Sequence, residues 1–126
     1  MSVVVDYRFR LTEHAYEEGT MEPTLDHRKH RRYPVNFISI FSTDDAQLEN
    51  GVVLDLSLGG CRLMSVIHVP SGSPIEIHIR PEQHSLIYVS SAVVRWTGNY
   101  VCGLEFKALP EQESATLTRL LWTLRS

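Results

Sequence analysis

The 126 residues of this chain suit a single domain, and they suffice to bury a core without disulfides or a metal. No apolar run approaches the roughly 18 residues that a membrane helix needs. The N-terminus lacks the basic and apolar regions of a signal peptide. We therefore expect a cytoplasmic protein with no membrane insertion, and the net charge of −3 argues against general attraction to a nucleic acid polymer.

The charge is unevenly distributed along the chain. Residues 26–32 contain four Lys or Arg and one Asp, a local charge of +3, whereas the other residues hold eight Lys or Arg against fourteen Asp or Glu, a charge of −6. A compact basic patch on an acidic protein suits a small anion. A long polyanion normally needs basic residues spread over a larger face.

Residues 1–25 are interpreted as an N-terminal extension. Residues 3–5 and 7–11 have the composition of a short strand, residues 12–18 that of a helix, and residues 19–23 that of a loop. A partly ordered tail explains the same composition equally well. The extension is therefore separated from a domain that covers residues 26–126.

From Pro34 onward the pattern predicts short strands. Apolar and polar residues alternate, β-branched and aromatic side chains are frequent, and turn residues separate the runs. The predicted strands cover residues 35–41, 52–57, 61–66, 75–80, 86–96 and 100–106. The polar residues 42–50 and the Asn50-Gly51 pair predict a turn between the first two strands.

After Pro110 the apolar period becomes helical, with leucines at 117, 120, 121 and 124 on one face. The predicted fold class is therefore all-β with one C-terminal helix. Six antiparallel strands that close into a β-barrel would leave no exposed sheet edge. The amphipathic helix is expected to pack on the barrel or against one end of it.

Two segments could bind a ligand, and the first is the arginine segment, residues 27–32. It precedes the first strand, and Arg28 and Arg32 are four residues apart, so they share one side of a helical turn or fork around one ligand. A guanidinium donates two parallel N–H bonds to a phosphate and stacks on flat bases. Because basic runs are also typical of solvated surfaces, this segment alone does not decide the function.

The second segment, residues 55–60, ends a strand in a tight turn. Asp55 and Ser57 are two residues apart and project on one face of a strand, where a carboxylate and a hydroxyl can bond to a base edge. Gly60, with Gly59, allows a positive φ or a close approach of the backbone. Asp, Ser and Gly are also the usual residues of a capped β-turn, which is the simpler interpretation of this segment alone.

Together and in this order, Arg-x-x-x-Arg and Asp-x-Ser-x-x-Gly resemble the PilZ domain family. The matching residues are Arg28, Arg32, Asp55, Ser57 and Gly60. The arginine segment leads into a strand through Tyr33-Pro34, residues 103–106 read Gly-Leu-Glu-Phe, and a leucine-rich helix follows. The resemblance covers residues 26–126.

The resemblance implies a six-stranded barrel that binds the bacterial second messenger cyclic di-GMP. The residues themselves offer no catalytic motif, so we expect that the protein is not an enzyme. Arg28 and Arg32 would hold the phosphates and stack on guanine. Asp55 and Ser57 would bond to a guanine edge, and Gly60 would give room at the turn. We expect ligand binding to move the arginine segment and so to signal to an unknown protein partner in motility, adhesion or biofilm control.

Three further residues complete the predicted site. His27 stands where many family members have an additional arginine, so one ligand and a stacked pair both stay open. Trp96 lies seven residues before Gly103, where the family often has an aromatic residue near the ligand; a surface or core tryptophan is equally expected. Arg31, with Lys29, would add positive field without direct contact.

Other interpretations stay open beside the receptor. A PilZ-like adaptor would bind only protein and no nucleotide, and a homodimer is a further option. A single-stranded nucleic-acid binder would stack bases on exposed aromatic residues, and the acidic balance disfavours it. The residues available for such stacking are Tyr33, Tyr88, Trp96 and Tyr100.

Metal and catalytic chemistry find little support in the sequence. No cofactor is expected apart from the ligand, and the histidines lack metal-ligand spacing. Ser57 has no sequence-adjacent His or Asp that would activate it. Cys61 and Cys102 lie outside any paired motif and are expected to be buried structural thiols, with a disulfide between them left open.

Overall fold

The computed structural model describes residues 30–43 and 47–125. The expectations for residues 1–25, and those for His27 and Arg28, fall outside the described residues. Within the described part of the chain, no helix is long and apolar enough to cross a membrane.

In the part of the chain that the structure describes, six antiparallel strands form a closed barrel and one helix follows them, so the predicted fold class is confirmed. The elements are β1 (Tyr33–Ser42), β2 (Leu48–Leu56), β3 (Gly60–Met64), β4 (Pro74–Arg80), β5 (Ile87–Thr97), β6 (Val101–Ala108) and α1 (Glu111–Leu124). The strand order around the barrel is β1-β2-β3-β6-β5-β4, and β4 pairs with β1 to close it. Every strand therefore has two hydrogen-bonded neighbours, which removes open edges.

The barrel interior follows from the period of two in the strands. In β4 the residues Ile75, Ile77 and Ile79 are buried, whereas Glu76 and Arg80 between and after them are exposed. Successive side chains of a strand point to opposite faces, so the isoleucines enter one core. Each fully buried isoleucine contributes about 1.5–3 kcal/mol of hydrophobic stabilisation.

The turn predicted at residues 42–50 is wrong in its position. β2 begins at Leu48 and runs through Asn50 and Gly51, which pair with Ile40 and Ser39 of β1. Asn-Gly favours a turn locally, but here the strand pairing continues through it. A Cβ on Gly51 would lie 2.7 Å from a Leu63 methyl group, so this glycine provides room for packing inside the barrel.

α1 packs its leucine face on the barrel. Leu117, Leu120 and Leu121 are buried, as the helical spacing predicts. The carboxylate of Glu113, in the first turn, accepts a hydrogen bond of 3.0 Å from the backbone amide of Tyr88 in β5. Apolar burial and this bond fix the helix against the barrel, which leaves Trp122 on its outer side, 66% exposed.

Candidate functional site

The turn that joins β2 and β3 is closed by Ser57. Its hydroxyl accepts hydrogen bonds from the amides of Gly59 and Gly60, each at 3.1 Å, and its own amide donates to the Gly60 carbonyl at 2.9 Å. The side chain is buried. In this structure Ser57 therefore caps the turn, and its bond to a guanine edge stays a prediction.

Gly60 is required by a close backbone approach. A Cβ at this position would lie 2.1 Å from the carbonyl oxygen of Leu104 in the neighbouring β6, a distance that no side chain tolerates. Gly60 pairs with Glu105 in that register. Of the two roles that the sequence left open for this glycine, close approach explains it, since its φ is not in the left-handed region.

Asp55 lies on the outer side of the barrel because of a bulge. Val53 pairs with Leu63, and Asp55 pairs with Arg62, so Leu54 is the extra residue. Such an insertion shifts the alternation by one position. Val53 and Leu56 stay in the core, while the Asp55 side chain faces the adjacent strand and the arginine segment.

The Asp55 carboxylate is held by two arginines. Its Oδ2 accepts from Nε of Arg62 at 2.7 Å, and its Oδ1 accepts from the Arg62 backbone amide at 3.0 Å. Nη1 of Arg32 reaches Oδ1 at the longer distance of 3.5 Å. Asp55 and Arg62 are only 6% and 7% exposed, whereas a quarter of the Arg32 side chain is exposed. Asp55 is thus bound more strongly by Arg62 than by Arg32.

Trp96 extends this arrangement across two more strands. Arg62 pairs with Gly103 of β6, and Gly103 pairs with Trp96 of β5, next to a bulge at Arg95. A Cβ on Gly103 would lie 2.2 Å from the indole nitrogen of Trp96, so the indole rests directly on the glycine. We call Asp55, Arg62, Gly103 and Trp96 the site row.

The described end of the arginine segment approaches both the turn and the first strand. The guanidinium carbon of Arg31 lies 5.3 Å from the centroid of the Tyr33 ring, a cation–π distance. A Cβ on Gly59 would lie 2.9 Å from Cδ2 of His30, so that imidazole covers the turn. Of the predicted site residues, the structure thus brings Arg32 against Asp55, holds Ser57 and Gly60 in the turn that follows Asp55, and places Trp96 at the other end of the site row, whereas Arg31 contacts Tyr33.

The site combines groups that suit a phosphate-bearing, planar ligand. Within it, the single carboxylate of Asp55 faces the guanidinium groups of Arg32 and Arg62, so the local balance is positive. Guanidinium groups donate to phosphates and stack on bases, an indole offers a further stacking face, and a carboxylate accepts from a base edge. Among the described residues, no group of three or more His, Cys, Asp and Glu could hold a metal ion.

The two cysteines lie inside the barrel beneath this site. Cys61 and Cys102 are free and buried, which confirms the expectation of structural thiols. Burial, with the nearby Asp55 charge, raises the pKa of the Cys61 thiol well above its usual value. Burial also raises the pKa of Cys102 to about 11. Both thiols therefore stay protonated at neutral pH and are poor nucleophiles.

Arg62 and Gly103 were not predicted as part of the site. Arg62 stands between the buried Cys61 and Leu63, and a charged residue at that position of a strand indicates an outward side chain. Its pairing with Asp55 depends on the bulge, which sequence patterns do not reveal. Gly103 interrupts a strand, and such a glycine often marks close approach, here of Trp96.

The fold and the site define a small β-barrel module whose outer wall joins arginines, a carboxylate and a tryptophan at a glycine turn. The sequence matches the PilZ domain over residues 26–121. The chain therefore belongs to the PilZ domain family, whose members are regulatory receptor or adaptor domains. Among curated proteins, none matches this sequence.

Solved structures share the fold. The PilZ domain of CeSA from a cellulose-synthesizing bacterium has a TM-score of 0.60 and 19% identity, covering 76% of this chain and 99% of that one. The PilZ domain of YcgR from Escherichia coli, solved with c-di-GMP, has a TM-score of 0.67 and 16% identity, covering 79% and 92%. The Bacillus subtilis inhibitor of motility MotI/DgrA has a TM-score of 0.66 and 19% identity, covering 78% and 51%.

Proposed function

We propose that this chain is a cyclic di-GMP receptor that signals to a protein partner. The observation that carries the proposal is the site row beside Arg32, which joins a carboxylate, two guanidinium groups and an exposed part of an indole across four strands. The family membership and the YcgR structure solved with c-di-GMP support the choice of ligand.

Each residue of the site is proposed to contact a different part of the ligand. Arg28 and Arg32 bind the phosphates and stack on guanine, because guanidinium groups form paired bonds with phosphate. Asp55 accepts from the guanine edge, and Trp96 offers its face to a base. The remaining predicted contacts are Ser57 and Gly60 at the turn. His27 stands beside Arg28 as a weaker phosphate partner, and Arg31 adds positive field.

The proposed signal is a change of partner at Arg32. Its 3.5 Å contact with Asp55 is long for a hydrogen bond, so a phosphate competes with it easily. Arg62 keeps Asp55 in place at 2.7 Å meanwhile. Binding therefore draws the arginine segment onto the ligand and alters the surface that it offers to another protein.

The partner would control motility, adhesion or biofilm formation from the cytoplasm, without any enzymatic step by this chain. Apolar side chains on the outer barrel wall support a protein partner or a homodimer. Ile38 and Leu48 are 64% and 69% exposed. Exposed apolar groups of this size are typical of contact surfaces when they cluster. Leu48 of β2 pairs with Ser42, four residues along β1 from Ile38, and Ile40 between them is also exposed.

Calorimetry with cyclic di-GMP tests the proposal. The variant Arg28→Ala should bind about tenfold to a hundredfold more weakly than wild type, since each charge-assisted bond contributes roughly 1.5–3 kcal/mol. Arg80→Ala is the matched control, because it removes an exposed arginine from β4, which is not part of the site. Cyclic di-AMP should bind poorly, since adenine lacks the 2-amino donor of guanine and carries its own amino group at a different position of the ring.

Absence of heat and of any rise in melting temperature with the wild-type protein would refute the receptor proposal. The adaptor that binds only protein would then become the favoured function. Equal weakening by Arg28→Ala and Arg80→Ala would show general charge attraction instead of a built site.

A further inference from the structure

A cleft of about 340 Å³ lies where residues 30–33, the turn between β2 and β3, and α1 meet. It is lined by His30, Arg31, Tyr33, Leu58, Thr118, Leu121, Trp122 and Arg125. A volume above roughly 300 Å³ is within the range of clefts that hold small ligands.

Two cation–π pairs define the chemistry of this cleft. The guanidinium carbon of Arg31 lies 5.3 Å from the centroid of the Tyr33 ring, and that of Arg125 lies 4.3 Å from the centroid of the Trp122 ring. Neither cation has a carboxylate partner among the described residues. A guanidinium next to an aromatic face can hold a phosphate while the ring or the guanidinium plane stacks on a base.

The exposure of Trp122 points to a ligand. Burying an indole is strongly favourable, yet two thirds of this side chain faces solvent. It belongs to the helix that the barrel core holds in place through Leu117 and Leu121, so the packing of these leucines fixes the position of its backbone. An exposed aromatic ring beside two arginines that have no carboxylate partner within residues 30–43 and 47–125 is an arrangement that suits stacking on a purine.

We propose that this cleft is a second purine-nucleotide subsite, in which a purine stacks on Trp122 while Arg31 and Arg125 bind its phosphate. The proposal rests on the receptor function, because it extends the same site across the arginine segment. Arg32 contacts Asp55, and its neighbour Arg31 lines the cleft. The purine is either the second base of the same cyclic dinucleotide or a base of a second ligand molecule.

Tryptophan fluorescence tests the subsite directly. The chain has two tryptophans, so Trp96→Phe leaves Trp122 as the sole reporter and Trp122→Phe leaves Trp96. Saturation with cyclic di-GMP should change the emission of Trp122 and protect it from acrylamide quenching, because a stacked base covers the ring. The same titration reports the Trp96 side of the site separately in the other variant.

Affinity measurements complete the test. Trp122→Leu and Arg125→Ala should each weaken cyclic di-GMP binding by about 5- to 100-fold, the range expected for one stacked base or one phosphate contact. Arg119→Ala is the matched control, since it removes a charge from the same helix but lies outside this cleft. Calorimetric stoichiometry distinguishes the two sources of the purine: one ligand per chain for a second base, two for a second molecule.

The outcomes separate this inference from the receptor function. If wild type binds and Arg28→Ala is weakened, but Trp122 emission, quenching and the two affinities are unchanged, the subsite is refuted and the receptor stands. If wild type binds no cyclic di-GMP, both proposals are refuted. An equal loss with Arg119→Ala would also overturn the subsite, because it would reduce the effect to the general charge of the helix.

Discussion

The barrel interior at β4 and the site row on the outer wall differ in the regularity of their strands. In β4, Ile75, Ile77 and Ile79 enter the core at every second position without interruption. In the site row, Asp55 and Trp96 face outward because bulges in β2 and β5 shift the alternation by one residue. Regular alternation of side chains therefore forms the core, and the two bulges turn the side chains of the candidate site outward.

The largest effect is expected where the site row buries charge. Asp55→Ala removes the partner of Arg62, whose side chain is buried, and should destabilise the fold by about 3–5 kcal/mol because an uncompensated charge stays behind. Urea denaturation monitored by circular dichroism measures the change.

A double variant sharpens this expectation. Asp55→Leu combined with Arg62→Met replaces both charges with apolar groups and should be closer to wild type in stability than Asp55→Ala, while it abolishes ligand binding. If the double variant were as unstable as Asp55→Ala, the loss of stability would not come from an unpaired Arg62 charge. Asp55 would then stabilise the fold by maintaining the backbone bulge in β2.

The interior should respond to volume and not to charge. Ile77→Ala empties part of the core and should cost about 2–5 kcal/mol in free energy of unfolding. Ile38→Ala, in the outer wall of β1, is the matched control and should cost under about 0.5 kcal/mol because the side chain is mostly exposed. Equal losses in the two variants would mean that the outer wall of β1 is covered in solution.

Regular alternation can be predicted from the sequence, whereas irregular pairing cannot. Alternation in β4 and the leucine spacing of α1 predicted a strand and a helix, since each pattern depends only on neighbouring residues. The Asn50-Gly51 signal failed because pairing with β1 overrides a local turn preference. Local patterns therefore predicted the barrel and the helix, but not the start of β2.

The site was predicted only in part for the same reason. Asp55 and Trp96 were singled out, but their outward orientation depends on bulges that no local pattern indicates. The Arg62 partner of Asp55 depends on the register between β2 and β3. The cleft beside Trp122 requires knowledge of where α1 packs, which is a property of the whole fold.

Gly103→Ala should displace Trp96 from the site row with a smaller loss of stability. The added methyl group would overlap the indole, which lies 2.2 Å from the Cβ position, and overpacking of this kind costs about 1–3 kcal/mol. Trp96 emission, measured in a Trp122→Phe background, should shift toward the solvent-exposed value. In a Trp96→Ala background the same glycine substitution should cost far less, and an unchanged cost would show that backbone strain dominates.

The smallest effect is expected at the bulge in β5. Arg95 is the extra residue there and its guanidinium bonds to Glu105 of β6, and this bond lowers the pKa of the Glu105 carboxyl. A carboxyl whose folded pKa is lowered adds stability above its unfolded pKa, and the gain is lost as the pH falls through the folded pKa. Because both side chains are largely exposed, solvent screening keeps this contribution small.

Arg95→Ala should therefore slightly lower the free energy of unfolding at neutral pH and leave it unchanged at low pH, so that the acid limb of the stability profile becomes flatter, with little change in ligand affinity. Denaturation curves measured from pH 3 to pH 7 test this, and Arg80→Ala serves as the control for loss of an exposed positive charge. If Arg95→Ala instead altered Trp96 emission as strongly as Gly103→Ala, the ion pair itself would be holding the bulge. The orientation of the site row would then depend on a surface charge pair and not on the barrel backbone.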